Sequence, residues 1–177
     1  NIIAPGSYTN KDFTTLDPET GQSANPTIFW MYGTQAADVE VNIRTGEIKV
    51  LKLIACHDAG KVINPVTAAA QIEGALVMGA GMALYEGTIT DKGKILNGSL
   101  VDYKVVRSAD QPELDVSFVE VPHGEGPYGA KGLAEAGLCS TAGAIANAVH
   151  QATGIKPNFI PMRSEQILEL IKSQTVE

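Results

Sequence analysis

Between Asp38 and Asp58 the chain alternates polar and apolar residues in two runs, DVEVNI and EIKVLKLIACHD, separated by RTG. A side-chain period of two places successive residues on opposite faces of a strand, so the pattern predicts a β-hairpin with one buried face. Gly46 closes the break and supplies the positive φ that such a turn needs. GKVINP then interrupts the strand, and VTAAAQIEGALVMGAGMALYEG follows, long and largely apolar. That stretch predicts a buried helix from about Pro65 to Tyr85.

The remaining pattern extends the same architecture. GTITDKGKILNG predicts a second hairpin turning at Asp91–Gly93, and LDVSFVEV predicts a further strand. A helix is expected from Leu138 to Gln151, with Gly154 near its C′ position. SEQILELIKS is expected as a final amphipathic helix capped by Ser164. Residues 1 to about 37 are rich in Asn, Thr, Pro and Gly and read as extended chain and loops. The apolar run TIFWMYG near Phe29 fits a strand or a helix equally. Hairpins and helices are segregated rather than alternating as βαβ units. The expected fold class is α+β, a two-layer arrangement with a mostly antiparallel sheet and hairpins packed against a few helices. We read residues 1–177 as a single domain, with 1–36 a loop-rich lead-in.

The chain has 177 residues, 44% hydrophobic and 19% charged, which is enough for one domain with a sizeable core. A net charge of -7 argues against nucleic acid as a partner, because phosphate binding wants a basic face. No apolar run reads as long enough to span a bilayer, and no signal peptide is read at the start. The first residue is Asn1 rather than Met, as expected of a processed chain or a piece of a longer one. Cys56 and Cys139 are too few for an iron–sulfur cluster, which normally takes four thiolates. Reduced thiols in a cytoplasmic protein are the expectation. His57, His123 and His150 are far apart and show no paired-ligand spacing.

GEGPYGAKGLAEAG, from Gly124 to Gly137, holds the chemistry-bearing candidates. GEGPYG matches G-x-G-x-x-G, yet Pro127 lies inside it and no βαβ unit surrounds it, so a dinucleotide fingerprint is rejected. A P-loop fails because Gly132 rather than Ser or Thr follows Lys131. The loop still suits the presentation of backbone N–H groups to a polar ligand. Glu125, between two glycines, reads as a solvated acid. Glu135 sits among Leu133, Ala134, Ala136 and Gly137. If buried there it suits a general base; the equal alternative is that it merely caps or precedes the next helix. Ser140 and Thr141 are helix-start hydroxyls or phosphate contacts.

In the apolar helix, Gly74, Gly79 and Gly81 each cost about 1 kcal/mol against alanine, so close approach of backbone or ligand is expected. Gln71 shares a face with Gly74 and Ala75. It either reads a flat polar ligand or, as spacing alone favours, bonds a loop carbonyl. Asp58 and Asn64 are expected to hold the strand-to-helix turn. Cys139 reads as a buried structural thiol, and Asp102 and Tyr103 as strand residues.

Five passages fall in a familiar order: ADVEVNIRTGEIKVLKLIACHDAGKVINP, QIEGALVMGAGMALYEG, LVDYKVVRSADQPE, GPYGAKGLAEAG and AIANAVHQATG. From about Ala37 onward the chain resembles the C-terminal part of the molybdopterin-binding large subunit of the xanthine dehydrogenase/aldehyde oxidase family, the molybdenum hydroxylases. The resemblance implies oxidation of an N-heterocycle or an aldehyde with oxygen taken from water. It implies a molybdenum–molybdopterin cofactor, often the cytosine dinucleotide form in bacteria, with no direct protein ligand to the metal. Glu135 falls at the position of the family's general base. Gln71 falls at a glutamine placed to bond the cofactor, and the backbone of Lys131, Gly132, Leu133 and Ala134 would lie against it. Further cofactor contacts would come from the rest of the molybdopterin subunit. The 2Fe-2S clusters and FAD would reside in partner chains or domains, with a small-molecule substrate and neither nucleic acid nor membrane as partner. Ala134, Ala136 and Ala70 depart from the family's glycine, proline and glycine. The competing expectation is a noncatalytic assembly or scaffold domain of the same fold.

Overall fold

A computed structural model describes residues 3–7 and 13–174. Within the lead-in, residues 1–2 and 8–12 lie outside the described residues. Strand β1 (Gly33–Val41) and strand β2 (Ile48–Asp58) form the expected antiparallel hairpin, with a bulge at Asp38/Val39. Gly46 in the turn has φ 75°, and any Cβ there would collide with the Ser164 carbonyl oxygen. The Asn42 side chain braces the same turn by accepting from the Arg44 amide at 2.9 Å.

Helix α1 (Pro65–Leu84) follows, close to the expected span. Asn64 caps it, its side chain accepting from the amides of Val66 at 3.1 Å and Thr67 at 3.2 Å. By length and hydropathy α1 is apolar enough to cross a bilayer, contrary to the sequence reading. Ile72, Leu76 and Ala83 are nonetheless fully buried in the protein core, so here it serves as the central core helix. The expected second hairpin is the pair β3 (Thr90–Asp91) and β4 (Lys94–Ile95). Strand β5 (Glu113–Val119) then returns to pair in parallel with β2, giving the sheet order β1-β2-β5. The fold is thus α+β with one parallel pairing beside two antiparallel ones. TIFWMYG forms no regular element before Gly33.

The helix expected from Leu138 is instead two elements, α2 (Ala136–Cys139) and α3 (Thr141–Thr153), broken at Ser140. Thr141 Oγ1 lies 2.8 Å from both the Gly137 carbonyl and Gln35 Oε1, so its one hydroxyl hydrogen is shared between two acceptors at this break. Gly154 ends α3 at φ 78°, its amide donating to the His150 carbonyl. Helix α4 (Ser164–Gln174) already includes Ser164. The Arg163 carbonyl accepts from Ile167 N, so Arg163 occupies the cap position expected for Ser164. One core joins Leu53 and Ala55 of β2 with Ile72, Leu76 and Ala80 of α1, Ile145 and Val149 of α3, and Ile167 of α4. Gly79 and Gly137 permit that packing. A Cβ on Gly79 would collide with the Thr141 side chain, and one on Gly137 would come within 2.9 Å of Ala75 Cβ. Gly74, expected to face a close neighbour, meets none within 4 Å among the described residues.

Candidate functional site

The C-terminal end of β2, the first turns of α1 and the loop before α2 meet at one edge of the fold. Asp58 closes β2 and is 5% exposed. Its carboxylate accepts from the amides of Gly60 at 2.9 Å and Val121 at 3.2 Å, and it pairs with Lys131 Nζ at 2.5 Å. Burial alone would push the Asp58 carboxyl up; the Lys131 hydrogen bond, the two amides and the lysine charge outweigh it and hold it below the ordinary carboxylate range. Lys131 Nζ also donates to the Trp30 carbonyl at 3.1 Å. One buried ion pair therefore fastens β2, the glycine-rich loop and the segment before β1. Sequence reasoning gave Asp58 its turn-holding amide bond and missed the lysine. The available signal was a lysine set among alanine, glycine and leucine, which needs a buried partner.

The glycine-rich loop turns tightly at Pro127–Gly129, where Tyr128 has φ 56° and Gly129 φ 82°. It is stitched to the strand end by Lys61 N donating to the Gly129 carbonyl at 2.8 Å and Lys131 N to the Ala59 carbonyl at 3.0 Å. Among the described residues, the amides of Gly132, Leu133 and Ala134 have no acceptor. They lie beside a groove of about 510 Å3 lined by Ala59, Asn64, Ala68, Gln71, Ala130 and Lys131. A second cavity of about 510 Å3 lies at the other end of α1, against Leu84, Tyr85 and Arg163, and holds none of the expected site residues.

Gln71 is exposed, and its Nε2 donates to the Ala134 carbonyl at 2.7 Å. The loop-carbonyl expectation is met, and the Gln71 carbonyl oxygen stays available for a ligand. Glu135 is one residue further on. It is exposed and precedes α2 without a side-chain cap bond. The expected burial is therefore absent within this chain: Leu133 and Gly137 turn inward, while Ala134 and Glu135 turn out. Cys139, expected buried, is exposed. Asp102 and Tyr103 lie in a turn rather than a strand, with Tyr103 donating to Glu86 at 2.8 Å.

Behind Glu135 lies a polar cluster the sequence did not announce. Gln35 Nε2 donates to the Gly137 carbonyl at 2.6 Å, and Gln35 Oε1 accepts from Thr141 Oγ1 at 2.8 Å. His57 Nε2 is 3.3 Å from Gln35 Nε2. His57 is 2% exposed, and burial pushes its pKa below the usual imidazole value. Among the described residues its Nδ1 has no hydrogen-bond partner, and Gly33 packs directly on the ring. Thr141 thus has a helix-start hydroxyl turned inward rather than toward a ligand.

One edge of the α+β fold thus carries a strapped loop, three amides with no acceptor among the described residues, and an adjoining groove. The family profile described as "Molybdopterin cofactor-binding domain" matches residues 1–112, beginning ahead of Ala37 and ending before the glycine-rich loop. The chain is 35% identical over 149 residues to the putative xanthine dehydrogenase molybdenum-binding subunit XdhA of Escherichia coli (strain K12), covering 83% of this chain and 19% of that protein. It is 36% identical over 161 residues to the aldehyde oxidoreductase molybdenum-binding subunit PaoC of the same strain, covering 89% and 21%. The structure of aldehyde oxidoreductase from Desulfovibrio gigas superposes with a TM-score of 0.80 at 34% identity, over 90% of this chain and 17% of that one. The chain belongs to the molybdopterin cofactor-binding domain family. Its relatives here are molybdenum-containing oxidoreductases of the xanthine dehydrogenase and aldehyde oxidoreductase kind, and it spans about one fifth of their length.

Proposed function

We propose that this chain supplies part of the molybdenum-cofactor site of a hydroxylase, with Glu135 as general base, in a larger enzyme that oxidises an N-heterocycle or an aldehyde. The observation that carries the reading is the placement of Glu135. It is exposed, tethered through the neighbouring Ala134 carbonyl to Gln71, and preceded by three amides with no acceptor among the described residues. That donor set fits the group: unpaired N–H dipoles beside a groove suit the oxygen and sulfur atoms of a metal-pterin ligand.

When bound, the molybdenum–pterin group supplies the acceptor for two electrons and the activation of water. The amides of Gly132, Leu133 and Ala134 would donate to its polar edge. The carbonyl oxygen of Gln71 would accept from it while the Gln71 amide nitrogen keeps the loop in place. The Glu135 carboxylate would accept a proton from the water that supplies the oxygen. Lys131 contributes its backbone to the loop, and its side chain is committed to Asp58. Ala136, in place of the family's proline, leaves its backbone less restricted, whereas Ala134, in place of a glycine, restricts it more.

The same proposal extends to the cytosine dinucleotide form of the cofactor, to a cytoplasmic setting, and to 2Fe-2S and FAD groups on partner chains or domains. Two cysteines in 177 residues fall short of a cluster's usual thiolates. The test is Glu135→Gln in the complete enzyme. Loss of turnover by about 10²-fold or more, on the scale of removing a general base, with molybdenum and pterin content intact, is expected. Near-normal turnover at intact content would remove the general-base role and leave the assembly-domain reading.

A further inference from the structure

We propose that Gln35 is a positioning residue for Glu135, acting through the Gly137 carbonyl and the Thr141 hydroxyl; this rests on Glu135 being the base. Gln35 lies on β1, about a hundred residues away in sequence, yet it contacts the segment two residues beyond Glu135. All its polar atoms are engaged. Nε2 donates to Gly137 O at 2.6 Å and lies 3.3 Å from His57 Nε2, while Oε1 accepts from Thr141 Oγ1 at 2.8 Å. A flipped amide would set its oxygen against the Gly137 carbonyl oxygen, so the surroundings select one orientation. The neutral imidazole of His57 can accept the second amide hydrogen.

The other side of the segment is blocked. Gly137 is buried, and a Cβ there would meet Ala75 Cβ at 2.9 Å and the Ile72 carbonyl at 3.3 Å, so α2 already lies as near α1 as it can. Gln35 holds it from the sheet side, and Gln71 holds the Ala134 carbonyl from the helix side. Two glutamine amides therefore bracket Glu135, one residue before it and two after. A carboxylate exposed on a loop gains its aim from such supports, because an ångström of misplacement costs about 10²-fold in rate.

The experiment compares Gln35→Leu, Thr141→Val and Thr141→Ser with Glu135→Gln in the complete holoenzyme. It reads kcat and KM, molybdenum and pterin content, and hydrogen exchange over the peptide from Leu133 to Thr141. Expected for Gln35→Leu is a fall in kcat of about tenfold to 10²-fold with KM and cofactor content retained, and faster exchange in that peptide. Thr141→Ser keeps the hydroxyl and should restore most of the kcat lost in Thr141→Val. Unchanged kcat and exchange in Gln35→Leu, with Glu135→Gln inactive, would overturn the proposal while leaving the base intact. If Glu135→Gln stays active, the base reading falls and exchange alone decides: faster exchange in Gln35→Leu supports the support role, unchanged exchange overturns it. Should Gln35→Leu fail to accumulate, equal kcat in Thr141→Val and Thr141→Ser overturns it.

Discussion

Along α1, Ile72, Leu76, Ala80 and Ala83 join Leu53, Ala55, Ile145 and Val149 in one apolar cluster. The loop beside the first turns of the same helix is fastened mainly by polar bonds: Lys131 to Asp58, Lys131 to Trp30, Gln71 to Ala134 and Gln35 to Gly137. Apolar burial is non-directional and sets how strongly elements adhere. Hydrogen bonds and ion pairs set direction, because geometry decides whether they form at all. The site edge uses the second kind of fastening, and so can keep Glu135 exposed while still fixing where it points.

The apolar half should be broken hardest by Leu76→Ala. A fully buried leucine replaced by alanine should cost about 4 kcal/mol, read as a lower urea midpoint with little change in slope. The polar half is tested by Lys131→Met, which leaves the Asp58 carboxylate buried without its cation. The expected loss is about 3 kcal/mol, below the leucine value because the amides of Gly60 and Val121 still serve the carboxylate. A midpoint within experimental error of the parent would show that the ion pair fastens nothing. The smallest effect is the pH dependence of that difference. The Asp58 carboxyl is held below its unfolded value, so its contribution is complete above about pH 4 and is lost as pH falls through the folded pKa. The gap between parent and Lys131→Met should therefore narrow in acid. A gap that widens below about pH 4 would contradict the pairing.

The same division explains what could be read from the sequence. The hairpin of β1 and β2, helix α1 and the β3–β4 turn follow from side-chain period and turn residues, which are local. The parallel pairing of β5 with β2 is not local, since a strand's own alternation does not name its neighbour. The break at Ser140 was hidden for a related reason: beside the nearby Gly137 carbonyl, the Thr141 hydroxyl has a second acceptor in Gln35, 106 residues earlier. Lys131 and Asp58 are 73 residues apart. Glu135 was placed correctly in a loop entering a helix. Its burial was misjudged, because apolar neighbours say nothing of which way the backbone turns the acid. The Gln71 bond to a loop carbonyl was legible, since a helix amide facing a small-residue patch has few other partners.

In the proposed site the amides of Gly132, Leu133 and Ala134, which have no acceptor among the described residues, would face the cofactor beside Glu135. Hydrogen exchange on the complete enzyme, with the molybdenum–pterin group loaded and with it removed, tests this directly. Markedly slower exchange at Gly132–Ala134 is expected in the loaded enzyme, with exchange in α3 unchanged. Equal exchange at those three amides in the two forms would contradict it.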